Sequence, residues 1–443
     1  MRGLRSFIGL LTILIALGAY LYFVESKRTP GDDIEKKEQV FTVESEKIEE
    51  ITIKSESGDT TALKKSGPEW QIVSPAAAPA ASSEVSGILT NLASLEQQRL
   101  VDENPGSLKE FGLAEPRIEV AFKADGQERK LLIGSKTPTG ADLYAKTAAA
   151  PKVFLIASYL DSTFNRSTFD LRDKTALNIE REAVDALEIT TPDRTLKFGK
   201  VEGEWQVTQP ALARSDAANI ESLLSRIDGL QMKSVASGDG SDLSKFGLEK
   251  PAASVRVGSG SSQATLLVGS AAEEGNVYAK DASRPEVFTI EASLLEDLKK
   301  DAGEYRQKDL FDARAFNTTR LEVARGGTTT IFEKATVKDK EGKEEQKWKQ
   351  TTPAEKEVDR AAMDTLLSSL TSARADSFVD KAPADAKTEA VFTLKFDEGR
   401  KEERVTFLRA GSDAYAVREG SPGAAKLAAS TLDEILKSLD AAK

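Results

Sequence analysis

The sequence predicts an α+β chain: an N-terminal transmembrane helix followed by three repeated modules, each an antiparallel β-sheet with a packed amphipathic helix. Three observations carry this. A Trp and a Pro five residues apart occur three times, as Trp70 and Pro75, Trp205 and Pro210, and Trp348 and Pro353. Apolar residues alternate ahead of each Trp, the period of a half-buried strand. An apolar stripe at helical spacing follows each Pro. The first two copies are offset by 135 residues and the third follows at 143. A repeat of that length is a domain that can bury its own core, not a short solenoid unit.

The N-terminus comes first in chain order. Phe7 to Val24 runs 18 residues without a charge, which as a helix spans about 27 Å, close to a bilayer's apolar thickness. Arg2 and Arg5 precede it, placing the N-terminus in the cytoplasm and the body outside, although Lys27 and Arg28 oppose this. A cleaved signal peptide is the competing reading, with Ala16-Leu17-Gly18 as its site, but the apolar run continues past it. Residues 1–28 are therefore expected to be a cytoplasmic tip and retained anchor, and 29–40 a linker around Pro30-Gly31. The modules are expected over 41–168, 178–305 and 316–443.

Each copy opens with a strand: Ile48, Ile51 and Ile53, then Leu187 and Ile189, then Leu321 and Val323. A second strand turns into the Trp strand through Ser66-Gly67-Pro68 in copy one and Glu202-Gly203 in copy two. Copy three has Lys338-Asp339-Lys340-Glu341-Gly342-Lys343 instead, so the extra length is expected in a longer hairpin, where insertions cost least.

The helix follows. Val85, Ile88, Leu89, Leu92 and Leu95 match Ile220, Leu223, Leu224, Ile227 and Leu230, then Met363, Leu366, Leu367, Leu370 and Ala373. Steps of three and four put each set on one face. Ser82, Ser215 and Asp359 are the expected N-caps. Next comes Leu108 to Leu113 with Pro116, matched by Leu243 to Leu248 with Pro251. Gly112 and Gly247 are expected to end a short helical turn in the left-handed region. Copy three, around Val379 to Ala386, keeps Pro383 but lacks the Phe-Gly-Leu. Closing strands are expected at Leu132-Ile133-Gly134 and Leu267-Val268-Gly269. Others fall at Tyr144-Ala145-Lys146, Tyr278-Ala279-Lys280 and, loosely, Tyr415-Ala416-Val417, and at Val153-Phe154 and Val287-Phe288.

Composition narrows the function. The formal net charge is -11 and no stretch is strongly basic, so nucleic acid is not an expected partner. The chain has no Cys and no His, which removes disulfides, thiolate nucleophiles and imidazole catalysis. Neither Ser-x-x-Lys nor Gly-x-Ser-x-Gly occurs. Gly258-Ser259-Gly260-Ser261-Ser262 lacks the Gly-Lys-Ser/Thr ending of a phosphate loop and reads as a hairpin turn. Asp239-Gly240-Ser241-Asp242 offers oxygen ligands without calcium-loop spacing and reads as a solvated loop. Trp70, Trp205, Trp348, Tyr144, Tyr278 and Tyr415 could serve as ligand platforms, but at repeated strand positions they read as core. No catalytic, cofactor or metal residue is assigned, and no cofactor is expected.

The repeated Trp-x-x-x-x-Pro, the amphipathic helix, Phe111-Gly112-Leu113-Ala114-Glu115-Pro116 and Tyr-Ala-Lys resemble the bacterial family catalogued as domain of unknown function 4340. Members are often encoded beside ABC transporter components of the gliding-motility type, which implies an accessory role at the inner membrane. The expected function is thus a non-catalytic, membrane-tethered extracytoplasmic binding or scaffold protein of the bacterial envelope, held in the inner membrane by residues 7–24 with its body in the periplasm. Its expected partners are envelope proteins such as ABC transporter subunits. The alternative is an envelope polysaccharide-acting enzyme using paired carboxylates.

Overall fold

The computed structural model describes residues 18–19, 37–338 and 344–443. All but Gly18 and Ala19 of the expected membrane span lies outside these. Among the described residues no helix is long and apolar enough to cross a membrane. The chain divides into two compact units, one ending at Lys174 and one from Thr175 to Lys443.

The first unit holds one nine-stranded antiparallel sheet. Its strands are β1 (Ile48–Lys54), β2 (Thr60–Ser66), β3 (Glu69–Ser74), β4 (Ala78–Pro79), β5 (Arg99–Asp102), β6 (Ile118–Ala124), β7 (Gln127–Lys136), β8 (Asp142–Thr147) and β9 (Val153–Ala157). Their order across the sheet is 4-3-2-1-6-7-8-9-5. The second unit holds two more such sheets, β10–β18 between Ala186 and Glu291 and β19–β27 between Thr318 and Leu427, each repeating that order. Register repeats with it. Ile51 faces Leu63 and Phe122; Leu187 faces Phe198 and Val257; Leu321 faces Phe332 and Leu394. The alternation read from sequence is therefore the inward face of each opening strand, because side chains on a strand project to opposite faces in turn.

The apolar stripes form the expected helices, α1 (Ser82–Ala93), α4 (Ala217–Asp228) and α6 (Arg360–Thr371). Val85, Ile88 and Leu92 are buried on the first sheet, while Leu89 packs on it partly exposed and Leu95 is buried just past the helix end. Two expected caps differ. Ser82 lies inside α1, whose N-cap Ala81 makes no side-chain cap bond. Ser215 lies one residue before the true cap, Asp216, whose side chain accepts from Asn219 N; the Ser215 hydroxyl instead donates to the Trp205 carbonyl. Asp359 caps α6 through Ala362 N as expected.

Each module also carries a further helix that the sequence reading omits. After the ninth-numbered strand come α2 (Leu160–Phe164), followed by α3 (Thr168–Leu171), then α5 (Ser293–Leu298) in the second module and α7 (Ala429–Ala442) in the third. Leu432, Ile435, Leu436 and Leu439 bury one face of α7, so the third core is closed by two long helices.

Candidate functional site

Of the aromatic residues singled out in the sequence, the three Trp and Tyr415 are buried as expected, whereas Tyr144 and Tyr278 are not core. Trp70, Trp205 and Trp348 are 8%, 6% and 7% exposed, and each lies on the strand before its module's main helix. Tyr144 and Tyr278 are half-buried and meet the Phe of the Phe-Gly-Leu element: ring centroids are 5.1 Å apart for Phe111 and Tyr144 and 5.0 Å for Phe246 and Tyr278. Leu113 N donates to Leu108 O and Gly112 N to Lys109 O, with Gly112 at φ 66°, which is a Schellman ending. Gly247 at φ 68° repeats it. Gly134 and Gly269 let the Phe111 and Phe246 carbonyls approach the sheet where a Cβ would collide with them. The separate motifs are thus one packing device. Asp239 is occupied by bonds from the Ser237 hydroxyl and from the Ser241 amide and hydroxyl, which hold its carboxyl below the usual range. Among the described residues no group of His, Cys, Asp or Glu is placed to hold a metal.

Two features of the second unit were not visible in the sequence. The first is the joint between its sheets. The strap from Tyr305 to Ala313 is bridged to the second sheet through Ser215 and Arg306, with Gln307 N donating to Arg214 O. It is bridged to the end of α6 through Asp309 and Arg374, and Leu310 N donates to Ala373 O. Ion pairs run through the same place. Arg214 pairs with Asp312, and Arg418 pairs with Asp312 Oδ2 at 3.1 Å and Glu403 Oε1 at 2.9 Å. Glu403 also accepts from Asp312 N at 2.9 Å. Arg306 stacks 3.9 Å from the Phe378 ring centre and donates to Pro422 O. Burial pushes the Glu403 carboxyl up, against the pull of Arg418. Burial opposes ionisation of Asp312 too, but Arg214 and Arg418 outweigh it and hold that carboxyl low. A narrow cleft of about 30 Å³ lies alongside, lined by Arg214, Arg306, Phe378, Arg418 and Pro422 among others. Neither Asp312 nor Glu403 lines it.

The second feature is a groove of about 720 Å³ beside Trp348, lined by Phe316, Lys334, Glu345, Trp348, Val358 and Arg360 among others. Strands β20 (Thr328–Lys338) and β21 (Glu344–Thr352) carry the extra length of copy three. Pairing extends from Lys334 opposite Trp348 out to Lys338 opposite Glu344. The tip, 339–343, lies outside the described residues. In the second module Trp205 Nε1 donates to Glu221 at 2.7 Å. The helix position that corresponds in the third module is Asp364, one methylene shorter, and Trp348 Nε1 has no acceptor among the described residues. Phe316 is 82% exposed at the mouth of this groove.

The profile of a domain of unknown function, DUF4340, matches residues 70–204 and 205–395, well over half of the chain. The chain belongs to the DUF4340 family. Both matches start on a module's Trp and each straddles two sheets, the first ending just before Trp205 and the second running past Trp348 to residue 395. No curated protein sequence matches the chain. Among solved structures, it aligns with a DNA polymerase sliding clamp from Pseudomonas aeruginosa at 9% identity, covering 88% of this chain and 93% of that one, with a TM-score of 0.15. A griselimycin-bound sliding clamp from the same organism aligns at 10% identity over 86% and 93%, with a TM-score of 0.12. Scores this low carry no argument about the DUF4340 chain.

Proposed function

We propose that this chain is a non-catalytic, membrane-tethered extracytoplasmic binding or scaffold protein of the bacterial envelope, accessory to an ABC transporter of the gliding-motility type. The observation that carries the reading is how the charged groups at the joint are used. Arg214, Asp312, Arg418 and Glu403 are spent on one another across two sheets, so they fix modules in place, and the one carboxylate that lines the cleft, Asp309, is itself paired with Arg314 and Arg374. That is the chemistry of a rigid frame with repeated outer surfaces. The uncharged stretch Phe7 to Val24 supports the tether.

The pair Asp312 and Glu403 is also what a polysaccharide-acting enzyme would use, since their carboxyls are pushed in opposite directions. Both are paired with arginines and neither lines the cleft, which favours the scaffold. The test is affinity purification of the full chain from mildly solubilised membranes followed by mass spectrometry, with a C-terminal alkaline phosphatase fusion for topology. Recovery of transporter subunits and an active phosphatase are expected. A silent phosphatase, or turnover of an envelope glycan that Glu403→Gln abolishes, would refute the proposal.

A further inference from the structure

The outer edge of β21 is open. Its outer neighbour β22 (Lys356–Glu357) pairs only with Lys349 and Gln350, so from Lys347 back to Glu344 the backbone has no partner on that side among the described residues. The other modules lack such an edge, because β3 and β12 (Glu204–Gln209) begin one residue before their Trp. Unpaired strand backbone is a template for another strand. The groove beside Trp348 runs along it, and Glu345, Gln346 and Lys347 are all exposed.

The edge residues say which strand fits. When two copies of one edge pair antiparallel about a two-fold axis, opposed side chains must project to the same face, so the axis must pass through a residue. Centring on Glu345 sets Glu against Glu, and centring on Lys347 sets Lys against Lys. Centring on Gln346 sets Glu345 against the partner's Lys347 and Lys347 against the partner's Glu345. Opposite charges directly across a sheet attract and like charges repel. Glu345 and Lys347 already share one face of the strand, 3.5 Å apart, so both are positioned for that exchange.

We infer that β21 pairs with β21 of a second copy, antiparallel and centred on Gln346, making an isologous dimer through the third module. The partner strand would lie along the groove and cover Phe316. Charge exchange makes the test specific. The full chain in nonionic detergent should sediment as a dimer at high concentration. Lys347→Glu should weaken association about tenfold, because it sets Glu against Glu345 twice. The double change Glu345→Lys with Lys347→Glu should restore it, since the pairing is reversed rather than removed. The chain has no native thiol, so Gln346→Cys should cross-link to itself under mild oxidation, while Ser57→Cys in an exposed turn should not. A chain monomeric at every concentration would overturn the inference and assign the edge to a strand of another protein. A dimer indifferent to Lys347→Glu, or one the double change leaves as weak as the single, would also overturn it.

Discussion

Replacing Gly247 with Val puts a side chain where backbone already sits. At φ 68° an L-residue pays about 1–2 kcal/mol for the left-handed region. A Cβ there would also stand 2.8 Å from Ser270 N and 3.0 Å from Ser270 Cβ. Ser270 N is backbone and cannot swing aside as a side-chain tip could, so overpacking adds roughly 1–3 kcal/mol. The sum is about 2–5 kcal/mol. Gly260 isolates the two parts. It has φ 56° with nothing within 4 Å of a Cβ, so Gly260→Val should show the backbone cost alone. Each module has one Trp, so with Trp70→Phe and Trp348→Phe the remaining Trp205 reports the second module in urea titrations of the full chain. Gly247→Val should lower the midpoint well beyond Gly260→Val. Equal midpoints for the two variants would refute the close-approach argument, and an unchanged midpoint for both would refute the left-handed assignment too.

Arg418→Met leaves the buried Glu403 without its arginine and should destabilise the third module by about 3 kcal/mol, read from Trp348 fluorescence in urea. Because burial raises the Glu403 carboxyl in the folded state, its contribution is lost as pH rises from the ordinary carboxylate range through the raised value; Glu403→Gln should flatten that fall in melts between pH 4 and 7. Asp161 is the opposite case: burial pushes its carboxyl up, but Arg117 at 2.7 Å and Lys136 at 3.1 Å outweigh it and hold it low. Its stabilisation is present above the ordinary carboxylate range and lost as pH falls through the folded value, so Asp161→Asn should cost stability at pH 7 and little near pH 2, followed by Trp70. Asp359→Ala should cost about 1 kcal/mol by deleting a cap bond, and Ser82→Ala almost nothing, since Ser82 caps nothing; circular dichroism melts compare them.

What was legible is what repeats locally. Ile51, Leu187 and Leu321 announce their strands because one face of each is buried, and period two follows from that alone. Gly112 and Gly247 could be placed in the left-handed region because a short turn, a Gly and a returning Leu leave little other geometry. The second cap slipped by a residue because Ser215 and Asp216 are both good capping types, and the choice was made by Ser215 joining a bridge to Arg306, far on in sequence. The helix α7 was missed for a plainer reason: Leu432, Ile435, Leu436 and Leu439 keep helical spacing, but copies one and two offer only a shorter helix to compare with.

The joint and the open edge escaped for opposite physical reasons. Arg214, Asp312, Glu403 and Arg418 are scattered along the chain, and nothing local distinguishes them from the many surface charges around them. Only folding brings them together, and the burial of Glu403 then makes it depend on Arg418. The edge of β21 is local, yet its meaning lies in a comparison. Six charged or glycine residues in a longer hairpin read as a tolerated insertion, and as sequence they are one. The difference appears once pairing with β22 is seen to stop at Lys349 while β21 continues to Glu344, leaving backbone that water must satisfy. A charge pattern on such an edge usually repels other strands. Here Glu345 and Lys347 flank Gln346 with opposite signs, so one register turns the same pattern into attraction, and the third module's divergence becomes the feature that sets it apart from the other two.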